Sequence, residues 1–223
     1  MLGLYRPNMV VIGLAMLQGA RHEHAEALRG AAKELKIDIQ IRELRKASDV
    51  KGIDAVILPG GESTSMKIAS KSEELYSQLW QEIRTGIPVL GTCAGAILLC
   101  QENLISAKIE RNAFGRQIDS FQSPIKVNLG KKIAPEKVTG HSRDSFGHKP
   151  LDLGEYAANS DSGFPGVFIR APKFIDVNCE SIAIFENEIV GVKENKIVAL
   201  TFHPELTSDR RFHRWLITEA MNE

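Results

Sequence analysis

Apolar and polar positions divide the chain into two halves of different character. Met9-Val10-Val11-Ile12-Gly13-Leu14-Ala15 is a continuous apolar run, as expected of a strand buried on both faces of a parallel sheet, and Gln18-Gly19-Ala20 ends it. Ala25, Leu28, Ala31, Ala32 and Leu35 recur at helical spacing. Ile37, Ile39 and Ile41 alternate with polar residues as a second strand, and Asp54-Ala55-Val56-Ile57-Leu58 makes a third, stopped by Pro59-Gly60-Gly61. Two helical stretches cover 63–85, and Pro88-Val89-Leu90 forms a central strand. Alternating strands and helices with short connections predict a parallel sheet covered by helices on both faces. From 125 to 200 the pattern is mostly strands: Ile125-Lys126-Val127, Val167-Phe168-Ile169, Ile175-Asp176-Val177, Ile182-Ala183-Ile184, Ile189-Val190-Gly191-Val192 and Ile197-Val198-Ala199-Leu200. A last helix spans about 208–221. The fold class expected is α/β: a mostly parallel central sheet flanked by helices, with additional antiparallel strands in the second half, forming one domain over 1–223. The polar, Gly/Pro/Lys/Asp/Ser-rich segment 130–163 is, by its length, expected to be a functional or mobile loop rather than a core element, a surface insertion in the domain, with a partner contact or a lid as the alternative.

Composition narrows the function classes. Lys plus Arg, 28, balances Asp plus Glu, 28. Nothing in that balance calls for a nucleic-acid or anionic-membrane partner, and near-zero net charge is mildly permissive of association with another protein. Residues 1–7 are too short and interrupted for a signal segment, and no run reaches a membrane span. Three cysteines, Cys93, Cys100 and Cys179, with no C-x-x-C pair, fit a reducing, cytoplasmic compartment.

The chemistry centres on Val89-Leu90-Gly91-Thr92-Cys93-Ala94-Gly95-Ala96-Ile97-Leu98-Leu99. A strand leads through a sharp turn into a helix, with Cys93 at the apex: G-x-C-x-G, the thiol form of the nucleophile elbow. The tight turn exposes the side chain, the small neighbours admit a substrate, and the N-terminus of the helix favours the nucleophilic thiolate. A structural cysteine beside a loop is the competing reading.

A thiol nucleophile needs a base, and the base needs a group that orients it. Thr201-Phe202-His203-Pro204-Glu205 supplies both. Pro204 biases His203 to an extended conformation, which turns residues two apart to one side, so Glu205 is expected beside the imidazole. The preceding buried strand delivers the pair to the carboxyl end of the sheet, where ligands of open α/β sheets bind. Leu58-Pro59-Gly60-Gly61-Glu62-Ser63-Thr64 lies at another strand end. Its paired glycines can turn backbone N–H groups toward an oxyanion, while Ser63 or Thr64 could instead cap a helix; the P-loop spacing and its Lys are absent. Arg111, Arg116 and Arg170 could hold a substrate carboxylate or form ordinary surface ion pairs.

Taken together, these stretches resemble the class I glutamine amidotransferases, of flavodoxin-like fold, and more closely the glutaminase-subunit family of pyridoxal phosphate synthase. The resemblance rests on Leu17-Gln18-Gly19-Ala20 with Glu23-His24, on Pro59-Gly60-Gly61-Glu62-Ser63-Thr64, on the elbow, on Arg111-Asn112-Ala113-Phe114-Gly115-Arg116-Gln117, on Val167-Phe168-Ile169-Arg170-Ala171-Pro172 and on Phe202-His203-Pro204-Glu205-Leu206-Thr207. It implies a Cys93-His203-Glu205 triad that hydrolyses L-glutamine to glutamate and ammonia without cofactor or metal. It further implies glutamine binding by Gly61, Glu62, Ser63, Arg111, Ile169 and Arg170, and an oxyanion hole from backbone near Gly60, Gly61 and Ala94, arranged with Gln18 at the face that meets a barrel-shaped synthase subunit. Ammonia would pass to that partner for pyridoxal 5'-phosphate synthesis. Two departures stand out: segment 130–163 is longer than the family usually has, and the link from Cys100 to Arg111 is shorter.

Other readings remain at this level. The ammonia could serve another biosynthesis, such as histidine formation; the chain could be a cysteine peptidase or chaperone of the related elbow type, or a docking subunit without turnover. His22-Glu23-His24 is expected to be an exposed helix start, since two histidines lack a full metal-ligand set. Cys100 is expected to pack in the core, Trp80 and Trp215 to pack in the core or at its edge, and Cys179 has no evident base partner.

Overall fold

A computed structural model describes residues 9–15, 20–61, 74–111, 120–129 and 163–222. In the first half strands and helices alternate: β1 (Val10–Ala15), α1 (Arg21–Leu35), β2 (Ile39–Leu44), β3 (Ala55–Leu58), α2 (Leu75–Arg84), β4 (Val89–Thr92) and α3 (Ala94–Gln101). The second half carries β5 (Ala107–Glu110), β6 (Ser120–Val127), β7 (Gly163–Ile169), β8 (Lys173–Val177), β9 (Glu180–Phe185), β10 (Glu188–Glu194), β11 (Ile197–Leu200), a 3-10 turn at Pro204–Leu206 and α4 (Arg211–Met221).

Nine strands form one sheet in the order β2-β1-β3-β4-β11-β10-β9-β6-β7. Neighbours from β2 to β11 run parallel and those from β11 to β7 antiparallel, as the two apolar patterns predict. The strand at β8 lies elsewhere: it pairs with β5, which the sequence pattern does not single out, in a separate two-stranded sheet. The last helix begins at Arg211 rather than near 208 because Asp209 Oδ1 accepts the Arg211 N–H at 3.0 Å and Thr207 Oγ1 donates to the Pro204 carbonyl at 3.1 Å, holding 207–209 in a turn.

The period-2 alternation of strands divides the core between the two faces. Ile12 and Leu14 of β1, Ile57 of β3, Leu90 of β4 and Leu200 of β11 meet Leu28 and Ala31 of α1 and Phe212, Trp215 and Leu216 of α4. On the other face Val56 and Leu58 of β3, Val89 of β4 and Ala199 of β11 meet Leu79, Trp80 and Ile83 of α2 and Ala96, Leu98 and Leu99 of α3. Both tryptophans are therefore core residues. Cys100 and Cys179 are partly buried against the second cluster, and burial, with Cys179 nearby, pushes the Cys100 thiol up to about 12.

The sheet also curls. β7 is four strands removed from β11, yet the His203 N–H just beyond β11 donates to the Val167 carbonyl of β7 at 2.8 Å. An aromatic cluster fills the concave side: Phe164, Phe168, Phe202 and Phe212 lie with ring centroids 5.1 to 5.8 Å apart, a spacing typical of tilted and edge contacts.

Candidate active site

Three parallel strands end at one level. Leu58 of β3 is in register with Gly91 of β4, and Leu200 of β11 with Thr92. Their outgoing loops therefore converge at the carboxyl edge of the sheet: Pro59-Gly60-Gly61 after β3, Cys93 after β4, and Thr201-Phe202-His203 after β11.

Cys93 sits at the elbow with φ 48° and ψ −104°, a conformation that a residue with a side chain adopts only when its surroundings enforce it. Its N–H is tied to the Leu200 carbonyl at 2.8 Å and its carbonyl accepts the Ile97 N–H at 3.2 Å. Glycine neighbours make the elbow possible. A side chain on Gly95 would run into the Leu58 carbonyl, and one on Gly91 would come within 2.5 Å of Leu99 Cδ1. The buried Ala94 opens α3, so its N–H is among the free donors of a helix start.

His203 and Glu205 are joined as expected: His203 Nδ1 donates to Glu205 Oε1 at 2.7 Å. The geometry differs from the extended dipeptide. His203 is extended at φ −108°, ψ 87°, but Pro204 opens a 3-10 turn, its fixed φ being suited to the first helical position. The turn swings Glu205 back under the ring and buries it. The other face of the imidazole meets the Cys93 side chain as a hydrogen-bond partner. Burial alone would lower the His203 pKa, but the Glu205 carboxylate and Cys93 outweigh it and the net shift is upward. Glu205 moves the opposite way. Burial would raise it, and the imidazoles of His24 and His203 hold it below the usual carboxylate range.

Gly60 lies against this pair: a Cβ built on it would stand 2.6 Å from His203 Cε1 and 3.4 Å from Cys93 Cβ. Gly61 has φ 142°, open only to glycine, and is exposed. From the antiparallel side, the end of β7 reaches the nucleophile. The Ile169 carbonyl is 4.0 Å from Cys93 Sγ, and Arg170 comes next with φ 44°. The structure thus brings together Cys93, His203, Glu205, Gly60 and Ile169. Arg111 is exposed directly after β5. Gln18, Glu62, Ser63, Arg116 and, apart from Gly163, the expected insertion at 130–163 lie outside the described residues.

One expectation is overturned. His24 is not part of an exposed helix start: it is fully buried, while His22 is exposed. His24 falls one turn before Leu28 on the face of α1 that packs on the sheet, so the 3.6-residue period carries it inward. There its Nε2 lies 3.1 Å from Thr92 Oγ1 and 3.3 Å from Glu205 Oε2, and its Nδ1 lies 3.0 Å from His213 Nε2. Thr92, His24 and His213 are residues that sequence reasoning missed. The signal was present in the spacing of His24 to Leu28 and Ala31.

Among the described residues no group of three or more His, Cys, Asp or Glu side chains converges as metal ligands would, and no helix is long and apolar enough to cross a membrane.

Known proteins resemble this chain along nearly its whole length. A subunit of pyridoxal 5'-phosphate synthase, PdxT, from Thermococcus onnurineus (strain NA1) is 34% identical over 227 residues, covering 96% of this chain and 100% of the relative. The PdxT of Pyrococcus horikoshii is 34% identical over 224 residues, covering 94% and 99%. A crystal structure of a glutamine amidotransferase superposes with a TM-score of 0.69 at 32% identity, covering 94% of this chain and 98% of the other. The structure of PurLQS from Thermotoga maritima, at a TM-score of 0.60 and 14% identity over 96% and 98%, shares the fold. The model of the SNO glutamine amidotransferase family matches residues 14–141 and 136–222, taking in the elbow and the His203-Pro204-Glu205 turn alike, and the chain belongs to that family.

Proposed function

We propose that this chain is the glutaminase subunit of a pyridoxal 5'-phosphate synthase, hydrolysing L-glutamine at Cys93 and supplying the ammonia to a synthase subunit. The observation that carries the reading is the buried chain from Glu205 Oε1 through His203, 2.7 Å at the first link, to the Cys93 sulfur at a strained elbow. The names of the near full-length relatives support the pathway over another biosynthesis.

In this reading His203 takes the Cys93 proton on Nε2 as Sγ attacks the side-chain amide carbon of glutamine. The oxyanion of the tetrahedral adduct is met by backbone N–H groups at the Gly60-Gly61 turn and at Ala94. His203 returns the proton to the amide nitrogen, the C–N bond breaks, and ammonia leaves a glutamyl thioester. His203 then takes a proton from water, the hydroxide displaces Sγ, and glutamate is released as the thiol is reprotonated. Glu205 keeps the proton-bearing nitrogen of His203 turned inward and balances the imidazolium that forms in each half-reaction. Glutamine is bound by the backbone and side chains of Gly61, Glu62, Ser63, Arg111, Ile169 and Arg170, and Gln18 helps order the hole where the synthase docks. No cofactor or metal takes part, and the complex works in the cytoplasm.

The test is glutamate release from glutamine by the purified chain, alone and with a pyridoxal phosphate synthase subunit, with Cys93→Ala as control. Release that rises with the partner and vanishes in the variant is the expected result. Release without a partner response would keep the glutaminase and remove the assigned partner. Release unchanged by Cys93→Ala would overturn the nucleophile.

A further inference from the structure

The triad reading uses one oxygen of Glu205. The other, Oε2, is fully enclosed and has no hydrogen bond of good geometry. A carboxylate oxygen in a dry site is costly to leave alone, and the nitrogen set beside it is His24 Nε2, at 3.3 Å. His24 itself is buried and takes no part in the steps above. We propose that His24 is a positioning residue for the triad: its Nε2–H, shared with Thr92 Oγ1, anchors the free oxygen of Glu205, and His213 fixes the tautomer that makes this possible.

The tautomers emerge from counting donors and acceptors. A bare Nε2 on His24 would set a lone pair against a carboxylate, so Nε2 carries the proton. Burial holds His24 below its usual range despite Glu205 beside it, so the ring is neutral and Nδ1 is an acceptor. Nδ1 faces His213 Nε2 at 3.0 Å, and His213 must therefore donate from Nε2. Its Nδ1 is then bare, and that atom is the one on His213 that is buried without a partner. A bare lone pair there is tolerable, whereas an orphaned buried N–H is rare in native proteins. The orphan on His213 and the orphan on Glu205 thus point to the same assignment independently. The protons run one way along the line: His213 Nε2–H to His24 Nδ1, and His24 Nε2–H into the space between Thr92 Oγ1 and Glu205 Oε2.

Three elements are fastened by this line. His24 comes from the first turn of α1, His213 from α4, and Glu205 from the 3-10 turn, while Thr92 is the residue before the nucleophile. With both oxygens held, the carboxylate cannot rotate about its own axis, and the His203 ring it directs cannot swing from Cys93.

The inference rests on the triad reading, and its tests are chosen to be separable from it. In the complex with the synthase subunit, His24→Leu keeps the volume and removes the donor, whereas His24→Gln keeps an N–H near the position of Nε2. For His24→Leu the expected result is a fall in kcat for glutamate release of about tenfold or more, with KM within about twofold. His24→Gln is expected to recover kcat to within about threefold of the unaltered complex. Equal losses in both variants would overturn the proposal, as would an unchanged kcat in His24→Leu. The second readout needs no turnover: ¹⁵N-histidine NMR of the full chain carrying Cys93→Ala. Neutral rings protonated at Nε2 are expected for both His24 and His213. An Nδ1–H tautomer or a charged ring at His24 at neutral pH would overturn the assignment even if His24→Leu failed to fold. Loss of the triad reading would show instead as glutamate release surviving Cys93→Ala.

Discussion

Gly60→Ala tests whether the active site is as closely built as its distances indicate. Gly60 is buried and its φ lies outside the left-handed region, so alanine meets no backbone strain there; the only obstacle is space. The added methyl carbon would stand 2.6 Å from His203 Cε1, where carbon atoms ordinarily keep about 3.5–4.0 Å. The ring must withdraw by about 1 Å. It cannot do so freely, because Nδ1 is held at 2.7 Å by Glu205 Oε1 and the Glu205 side chain is itself enclosed. Withdrawal opens either that bond or the contact with Cys93. A displacement of about 1 Å in a reacting group costs about 10²-fold, equivalent to about 2.7 kcal/mol of transition-state stabilisation, and overpacking costs a further ~1–3 kcal/mol of folding stability. Initial rates of glutamate release at saturating glutamine, measured with the synthase subunit and beside a thermal melt, read both effects. Gly52→Ala is the control: Gly52 has φ 72° with open space around it, so about 1 kcal/mol of stability is lost with no change in rate. A folded Gly60→Ala enzyme within about threefold of the parent rate would refute the reasoning.

Cys93→Gly is expected to melt above Cys93→Ala by about 1 kcal/mol, because both lack the sulfur but only glycine is at ease at φ 48° and ψ −104°; a lower melting point for Cys93→Gly would deny that the elbow is strained. His213 is held well below its usual range by burial, with His24, Arg210 and Arg214 adding to the effect and Glu205 opposing it. The native ring stays neutral while the unfolded one gains a proton below its ordinary value of 6.5, so stability falls as pH drops, by about 1.4 kcal/mol per unit. His213→Gln should lessen the loss between pH 6.5 and 5.5 by about 1 kcal/mol in denaturant titrations, since the unfolded ring is already half protonated at 6.5, and an unaltered slope would contradict it. Glu34 of α1 pairs with Arg210 at 2.6 Å and Arg214 at 2.5 Å on the α4 side, all three largely shielded. Glu34→Gln removes the carboxylate charge that the two guanidinium groups share and should cost about 2–3 kcal/mol, a drop of about 4–12 °C in melting temperature; a shift under about 2 °C would place these ions among inconsequential surface pairs.

How much of this is legible in the sequence depends on how local each signal is. The elbow can be read because its requirement, small residues on either side of Cys93, is met within consecutive positions from Gly91 to Gly95. His203 and Glu205 can be paired because they are two apart, although it is a 3-10 turn that joins them. The apolar runs of β1, β3 and β4 declare parallel strands because both faces of each are covered. By contrast, the Ile169 carbonyl reaches Cys93 through the curl of a nine-stranded sheet, which no short pattern encodes. β5 finds its partner far along the chain, with Lys108 opposite Asp176 of β8, and its short, half-exposed pattern carries no independent signal. His24 invites misreading because a charged-looking start, His22-Glu23-His24, conceals that its third member lies on the apolar face.

Among the described residues, β7 of the antiparallel half meets the catalytic pair through two main-chain carbonyls. The Val167 carbonyl holds the His203 N–H, and the Ile169 carbonyl faces the Cys93 sulfur. A carbonyl is the same whichever side chain it belongs to, so these contacts are indifferent to residue identity and depend only on where along β7 each peptide falls. Drift in sequence at such positions is therefore cheap, whereas sliding the strand by one residue either sets an N–H where each carbonyl stands or, if the strand turns to keep its ladder, sends every side chain of β7 to the opposite face. The site is written partly in letters, at Cys93, His203 and Glu205, and partly in counting, and a scan of single deletions along β7 would read the second script where a scan of substitutions reads the first.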